Sequence, residues 1–181
     1  SVPTFRADIE GMADIAEEVA RIYGYEKIPT TLMRGEMVAG GKTPVQKLED
    51  TVRTELAESG LYEIITYSFI DPKENAMVRI PEDDSRNNFV RITNPLGEEN
   101  SVMRTDMTSS VMKILRTNYT RRNPQAAVFE IGTVFTPISG EPLPAETKVI
   151  AAGMYGECDF YDIKGIVENL LDTVGIHDYK F

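Results

Sequence analysis

The sequence has one cysteine, Cys158, and one histidine, His177, among its 181 residues. A single thiol excludes an internal disulfide framework and any multi-cysteine zinc site, and a single imidazole excludes a His-rich catalytic metal centre. No apolar run reaches ten residues, well short of the ~18 that a membrane helix needs. There is no internal repeat and no low-complexity tract. Cations are in the minority, 19 Lys and Arg against 29 Asp and Glu, for a formal net charge of −10. That is the wrong sign for holding a nucleic-acid backbone by field alone. The chain opens Ser1-Val2-Pro3 with neither an initiator Met nor a signal-peptide core, which sets the expectation of a piece excised from a longer cytoplasmic protein.

What is present is ordinary for a soluble globular chain: 41% hydrophobic and 27% charged residues. The length predicts one domain with at most a smaller appendage, and at this size roughly two-thirds of the unfolded surface is buried on folding. Charge is spread unevenly. Between Ser101 and Gln125 stand Arg104, Lys113, Arg116, Arg121 and Arg122 against the single acid Asp106. That stretch carries +4, leaving −14 elsewhere. A local basic strip on an acidic body can meet a phosphate or an acidic partner, and composition does not choose between them.

Periodicity organises the chain into two parts. Residues 1–29 read as a loop and then a helix over Met12–Tyr23, with Ile15, Val19 and Ile22 on one stripe and Gly24 as its stop. Residues 30–43, with Gly35, Gly40 and Gly41, read as a linker. Thr43-Pro44 is an N-cap followed by the proline that a first helical position accepts, and Val45, Leu48, Val52 and Leu56 give the helix from Pro44 to Ser59 an apolar face. The β-branched and aromatic run Tyr62–Phe69 predicts a strand. Further strands are expected over 89–93, 127–135 and 148–155, and helices over 109–118 and 161–174. The order of elements implies α+β with a mostly antiparallel sheet flanked by helices.

Four acids gather near the first helix: Asp8, Asp14, Glu17 and Glu18. Positions 14, 17 and 18 share a helical face. Like charges so close repel unless a hard divalent cation such as Mg2+ sits among them. Acids in a first helical turn are equally served by the positive end of the helix dipole and by free N–H groups, each worth about 0.3–1 kcal/mol. Spacing leaves both readings open. Cys158 has no histidine beside it to make a nucleophilic pair, Gly40-Gly41-Lys42-Thr43 lacks the earlier glycine of a phosphate loop, and Met103, Met107 and Met112 read as core filler.

Two runs near the start, Val2-Pro3-Thr4-Phe5-Arg6-Ala7-Asp8-Ile9 and Asp14-Ile15-Ala16-Glu17-Glu18-Val19-Ala20-Arg21-Ile22-Tyr23-Gly24-Tyr25, resemble a signature of the β-chain family of bacterial phenylalanyl-tRNA synthetases. Ile65-Thr66-Tyr67-Ser68-Phe69, Asn94-Pro95-Leu96, Ser101-Val102-Met103-Arg104-Thr105, Phe129-Glu130-Ile131-Gly132-Thr133-Val134-Phe135 and Asp162-Ile163-Lys164-Gly165 continue the resemblance in order. It implies an internal fragment. Residues 1–29 would be the tail of one β-chain module, and 44–181 an incomplete domain with the class II synthetase fold. Its partner would be a catalytic α chain in a heterotetramer that joins phenylalanine to its tRNA using ATP. The family's β chain holds a Mg2+ shared with the α chain through acids at a spacing that Asp8, Asp14, Glu17 and Glu18 match.

The same resemblance implies catalytic silence. Class II enzymes follow a strand resembling Phe129–Phe135 with Arg-x-Glu, the arginine gripping the ATP α-phosphate; here Thr136-Pro137-Ile138 follows instead. Without a guanidinium there is no bidentate phosphate clamp. No catalytic residue is expected in this chain, and tRNA contact only within the whole enzyme. The helix from Pro44 resembles the first class II motif, which builds subunit interfaces, or is simply core. Two other functions remain in view: a stand-alone Mg2+-dependent enzyme built on the acids, and a nucleic-acid-binding module using the 104–122 basic strip.

Overall fold

The computed structural model describes residues 2–36 and 39–181. Met37 and Val38, inside the expected linker, lie outside the described residues, as does Ser1. The chain divides into two compact units, Ser1–Gly41 and Lys42–Phe181.

The first unit contains α1 (Met12–Tyr23) and a single 3-10 turn, Tyr25–Lys27. The helix starts where Asp14 Oδ2 accepts from the N–H groups of Gly11 (2.8 Å) and Glu10 (3.0 Å), which satisfies donors that a helix start leaves free. It stops at Gly24, whose φ of +104° is open to glycine and costly for other residues. The stripe expected from the sequence is present, but none of α1 is buried.

The second unit begins with α2 (Pro44–Glu58), capped by Thr43 and Gln46, each side chain bonding the other's backbone N–H. Then follow β1 (Tyr62–Glu63), β2 (Phe69–Ile70), α3 (Glu74–Met77), β3 (Val102–Met103), α4 (Thr108–Thr120), β4 (Ala126–Thr136), β5 (Ala145–Tyr155) and α5 (Phe160–Thr173). The central ladder is antiparallel, β4 against β5, from Ala126 opposite Tyr155 to Thr136 opposite Ala145. β1 adds a short parallel pairing on the other side of β4, so the sheet is mixed, in the order β1-β4-β5; β2 and β3 form a separate antiparallel pair.

β4 faces two ways, and its side chains alternate accordingly. Odd positions Ala127, Phe129 and Ile131 pack with Val52 and Leu56 of α2, Leu61, and Ile166 and Leu170 of α5. Even positions Ala126 and Val128 pack under Val111 and Leu115 of α4. Leu56 and Phe129 are fully buried, and burying a side chain of that size stabilises by about 1.5–3 kcal/mol.

Two expected strands are shorter than the sequence suggested. Tyr62–Phe69 is not continuous: after Glu63 only the Ile64 N–H still bonds the β4 backbone, at Phe129 O. Thr66 then gives both its N–H (3.3 Å) and its hydroxyl (2.6 Å) to the side-chain carboxylate of Glu130 rather than to a strand backbone. The 89–93 strand reduces to one bridge, Arg91 opposite Val102, because its partner β3 is only two residues long. Helices α1, α2, α4 and α5 and strands β4 and β5 lie within a few residues of where periodicity put them, whereas α3 was not expected.

Candidate functional site

The acids of the first unit are organised by arginines. Arg6 donates to both oxygens of Asp8, from Nε at 3.0 Å and Nη2 at 2.7 Å, and Nη2 also reaches Glu18 Oε1 at 2.8 Å. Glu18 Oε2 accepts from Arg21 Nη2 at 2.7 Å, one turn along α1. The Arg6 guanidinium holds the Asp8 carboxyl at about 2, below its ordinary 3.8. Glu18 is lowered by Arg6 first and Arg21 second.

Asp14 is spent differently, capping α1, and Glu17 is exposed. Asp8 and Glu18 therefore converge on one cationic group, whereas Asp14 and Glu17 do not join them. Among the described residues no three carboxylate, His or Cys side chains form a group able to hold a metal. As a donor set the four acids are all oxygen, the chemistry that Mg2+ takes, and the guanidinium occupies the point on which two of them close. Sequence reasoning missed both arginines. Glu18 and Arg21 at i, i+3 was a readable signal; Arg6 to Glu18, across a loop, was not.

In the second unit the synthetase-like strand is β4. Glu130 is buried, as is Arg104, at 4% and 2% exposure. Arg104 Nη1 and Nη2 both donate to Glu130 Oε1 at 3.1 Å, Nη1 also reaches Thr66 Oγ1 at 2.8 Å, and Nε reaches Thr133 O at 2.9 Å. A buried ion pair holds only when its remaining donors and acceptors are also matched, as they are here. Gly132 makes room for it: a Cβ there would lie 2.3 Å from Arg104 Nη2 and 2.6 Å from the Met107 methyl. β4 ends at Thr136, which is exposed and followed by Pro137. The network fixes the strand internally and presents no guanidinium at its end.

The basic strip is only partly a surface. Arg104 points into the core, and Lys113, though exposed, is paired with the buried Glu74 at 2.6 Å. Arg116, Arg121 and Arg122 are exposed towards the end of α4. A five-cation strip over 104–122 is thereby corrected to four exposed cations, one of them already paired, which weakens the nucleic-acid reading.

Other singled-out residues have local duties. Lys42 pairs with Asp50 while Thr43 caps α2, so Gly40-Gly41-Lys42-Thr43 leads into a helix start. Asp162 bonds the Asp159 N–H at 2.7 Å in the capping box of α5. His177 contacts Asp172 at 3.2 Å, and Cys158 is half-buried. Of the methionines, Met107 is core, whereas Met112 is half exposed.

Comparison with known proteins places both units. The family model described as phenylalanyl tRNA synthetase beta chain CLM domain matches residues 28–181, and that described as tRNA synthetase B5 domain matches residues 1–25. The phenylalanine–tRNA ligase beta subunit of Clostridium acetobutylicum is 46% identical over 180 residues, covering 99% of this chain and 23% of that protein. Its counterpart from Clostridium tetani is 48% identical over 182 residues, again across 23% of its length. The chain thus spans about a quarter of these relatives. Among solved structures, pyrrolysyl-tRNA synthetase from Desulfitobacterium hafniense superposes with a TM-score of 0.61 at 14% identity, over 93% of this chain and 55% of that one. At that identity the likeness speaks for the fold, a class II synthetase fold.

Proposed function

The chain belongs to the phenylalanyl-tRNA synthetase β-chain family, and from that premise we propose that it is a non-catalytic, structural part of a β subunit that supports an active site carried by an α chain. The whole enzyme, in this reading, is a cytoplasmic heterotetramer that ligates phenylalanine to tRNA using ATP; tRNA is a partner only in that context. One observation carries the silence of this part. The strand that in class II enzymes leads into a phosphate-gripping arginine here ends in an exposed Thr136 followed by Pro137. A hydroxyl offers neither the charge nor the forked donors that an α-phosphate needs. The fold's frame is kept while the site grafted on it is absent.

The proposal includes a Mg2+ held by Asp8, Asp14, Glu17 and Glu18 and completed by the α chain. Support comes from the all-oxygen donor set and from Arg6, which already draws Asp8 and Glu18 onto one cationic group. Bound there, the ion would neutralise these acids and tie this chain to the α chain. In this chain alone, Arg6 and Arg21 neutralise Asp8 and Glu18, and Asp14 serves α1; ion binding without the α chain is therefore expected to be weak or absent.

The test mixes this chain with its α chain, with Mg2+ or with chelator, and follows complex formation by size-exclusion chromatography beside an Asp14→Ala/Glu17→Ala variant. Co-elution that weakens with chelator and in the variant supports the shared ion. Co-elution indifferent to both keeps the subunit role and returns the acids to capping and ion pairing. Adenylate formation by this chain alone would overturn the silent reading.

A further inference from the structure

The exposed cations of α4 and of the turn after it have no role in the sites described so far. Residues 108–125 contain Lys113, Arg116, Arg121 and Arg122 and neither Asp nor Glu. Glu74 answers Lys113, and among the described residues no carboxylate pairs with the three arginines. Arg121 and Arg122 follow the carbonyl end of α4, where the helix dipole favours cations. Arg116 lies further inside the helix, and the dipole does not account for it.

The neighbours of Arg116 distinguish between a phosphate and an acidic protein. Met112, Arg116 and Tyr119 follow one another at spacings of four and three, a single stripe on the outer side of α4. Met112 is 50% and Tyr119 70% exposed. Tyr119 is held in place all the same, its ring edge-on to Tyr155 at 5.8 Å between centroids. Beside the stripe, a cavity of about 260 Å3 opens between α4 and the end of α3, lined by Met77, Val78, Met112 and Arg116 among others. Met77 is 62% exposed. Methionine, tyrosine and arginine are enriched where proteins meet proteins, and methionine walls adapt to the side chain they receive. A nucleic-acid backbone is met by cations and polar donors, and it would leave both methionines uncovered. Guanidinium groups without counter-ions next to an apolar recess fit a partner that is acidic and apolar at once.

We propose that the outer face of α4, with the end of α3, docks a short acidic segment of a partner protein. An apolar side chain of that segment enters the cavity against Met77, Val78 and Met112. Its carboxylates pair with Arg116 and, further along, with Arg121 and Arg122. This surface contains none of the four acids proposed to hold Mg2+, so it stands or falls apart from that ion.

The test titrates the isotope-labelled chain with an end-capped peptide, Glu-Asp-Leu-Phe-Glu-Asp-Leu-Leu, and reads amide shifts by NMR. Three controls accompany it: the same peptide with Ser for every Leu and Phe, the same peptide with Lys for every acid, and oligouridylate RNA. The acidic apolar peptide is expected to shift Val78, Met112, Arg116 and Tyr119 saturably, with each control weaker by about tenfold or more. Arg116→Glu and Met112→Ser should each weaken that peptide about tenfold. Both variants should melt where the parent does, since neither side chain is buried. The proposal fails if the Ser peptide binds as well as the apolar one, which would leave charge alone, or if binding ignores Met112→Ser. It fails equally if oligouridylate binds as tightly, which would make the face a nucleic-acid surface, or if no probe saturates. Sedimentation of the chain alone should show no dimer through this face; a dimer lost in Arg116→Glu would make a second copy the occupant and overturn the proposal.

Discussion

Helices α1 and α2 carry the same kind of apolar stripe and meet different fates. On α2, Val45 and Leu48 near the start stay exposed, but Val52 and Leu56 are buried against Phe129 and Leu170. On α1, Val19 is 61% and Ile22 80% exposed. What holds α1 is at its ends and on its polar side: Asp14 at the start, Gly24 at the stop, and the Arg6–Glu18–Arg21 chain of ion pairs. What holds α2 is its face. A 3.6-residue period therefore states that a face wants cover, and only packing says whether cover is supplied.

The contrast can be broken most severely in the second unit. Arg104→Met or Glu130→Ala leaves a buried charge without its partner and should cost about 3–5 kcal/mol, read as a fall in the denaturant midpoint, whereas removing the Arg6 partner by Glu18→Gln should leave that midpoint unchanged. Next in size, Leu56→Ala should cost about 2–5 kcal/mol while Val19→Ala on α1 stays within about 0.5 kcal/mol; equal effects would show that the stripe of α1 is covered after all. Thr43→Ala removes the side-chain half of the α2 capping box and should cost about 1 kcal/mol in the same measurement.

The smallest effect is in acid. Asp8 sits at about 2, below its ordinary 3.8, so its ion pair with Arg6 is in full force above pH 4 or so and is lost as pH falls towards 2. NMR shifts of the Arg6 guanidinium should move in that window and be damped by added salt, because both partners are reached by solvent. Movement centred instead at the ordinary carboxylate value would show that the pair does not form.

Much of this architecture was legible in sequence because its causes are local. Gly24, Thr43-Pro44 and the apolar spacing of α2, α4 and α5 each act within a few residues, and elements were found where they stand. The break in Tyr62–Phe69 was not legible, since its cause is Glu130, 64 residues away from Thr66. Nor was Arg104 as an interior residue: a cation read one residue at a time looks like surface, and only the fold reveals a carboxylate and a carbonyl waiting for it. At the acids, the sequence located the residues but not the arginines that share them, and α3, with its buried Glu74, had no periodic signal in four residues.

One consequence follows from the two-faced β4. Were the strand to slide by a single residue along β5, every side chain would change sides: Phe129 would turn towards Arg104, and Glu130 would be pressed among Leu56 and Leu170. Neither exchange is survivable for the buried ion pair, which admits one register and rejects its neighbours. The Arg104–Glu130 contact thus works as a key in a lock, its value lying less in holding the strand down than in telling the folding chain which of several nearly equivalent alignments is the right one.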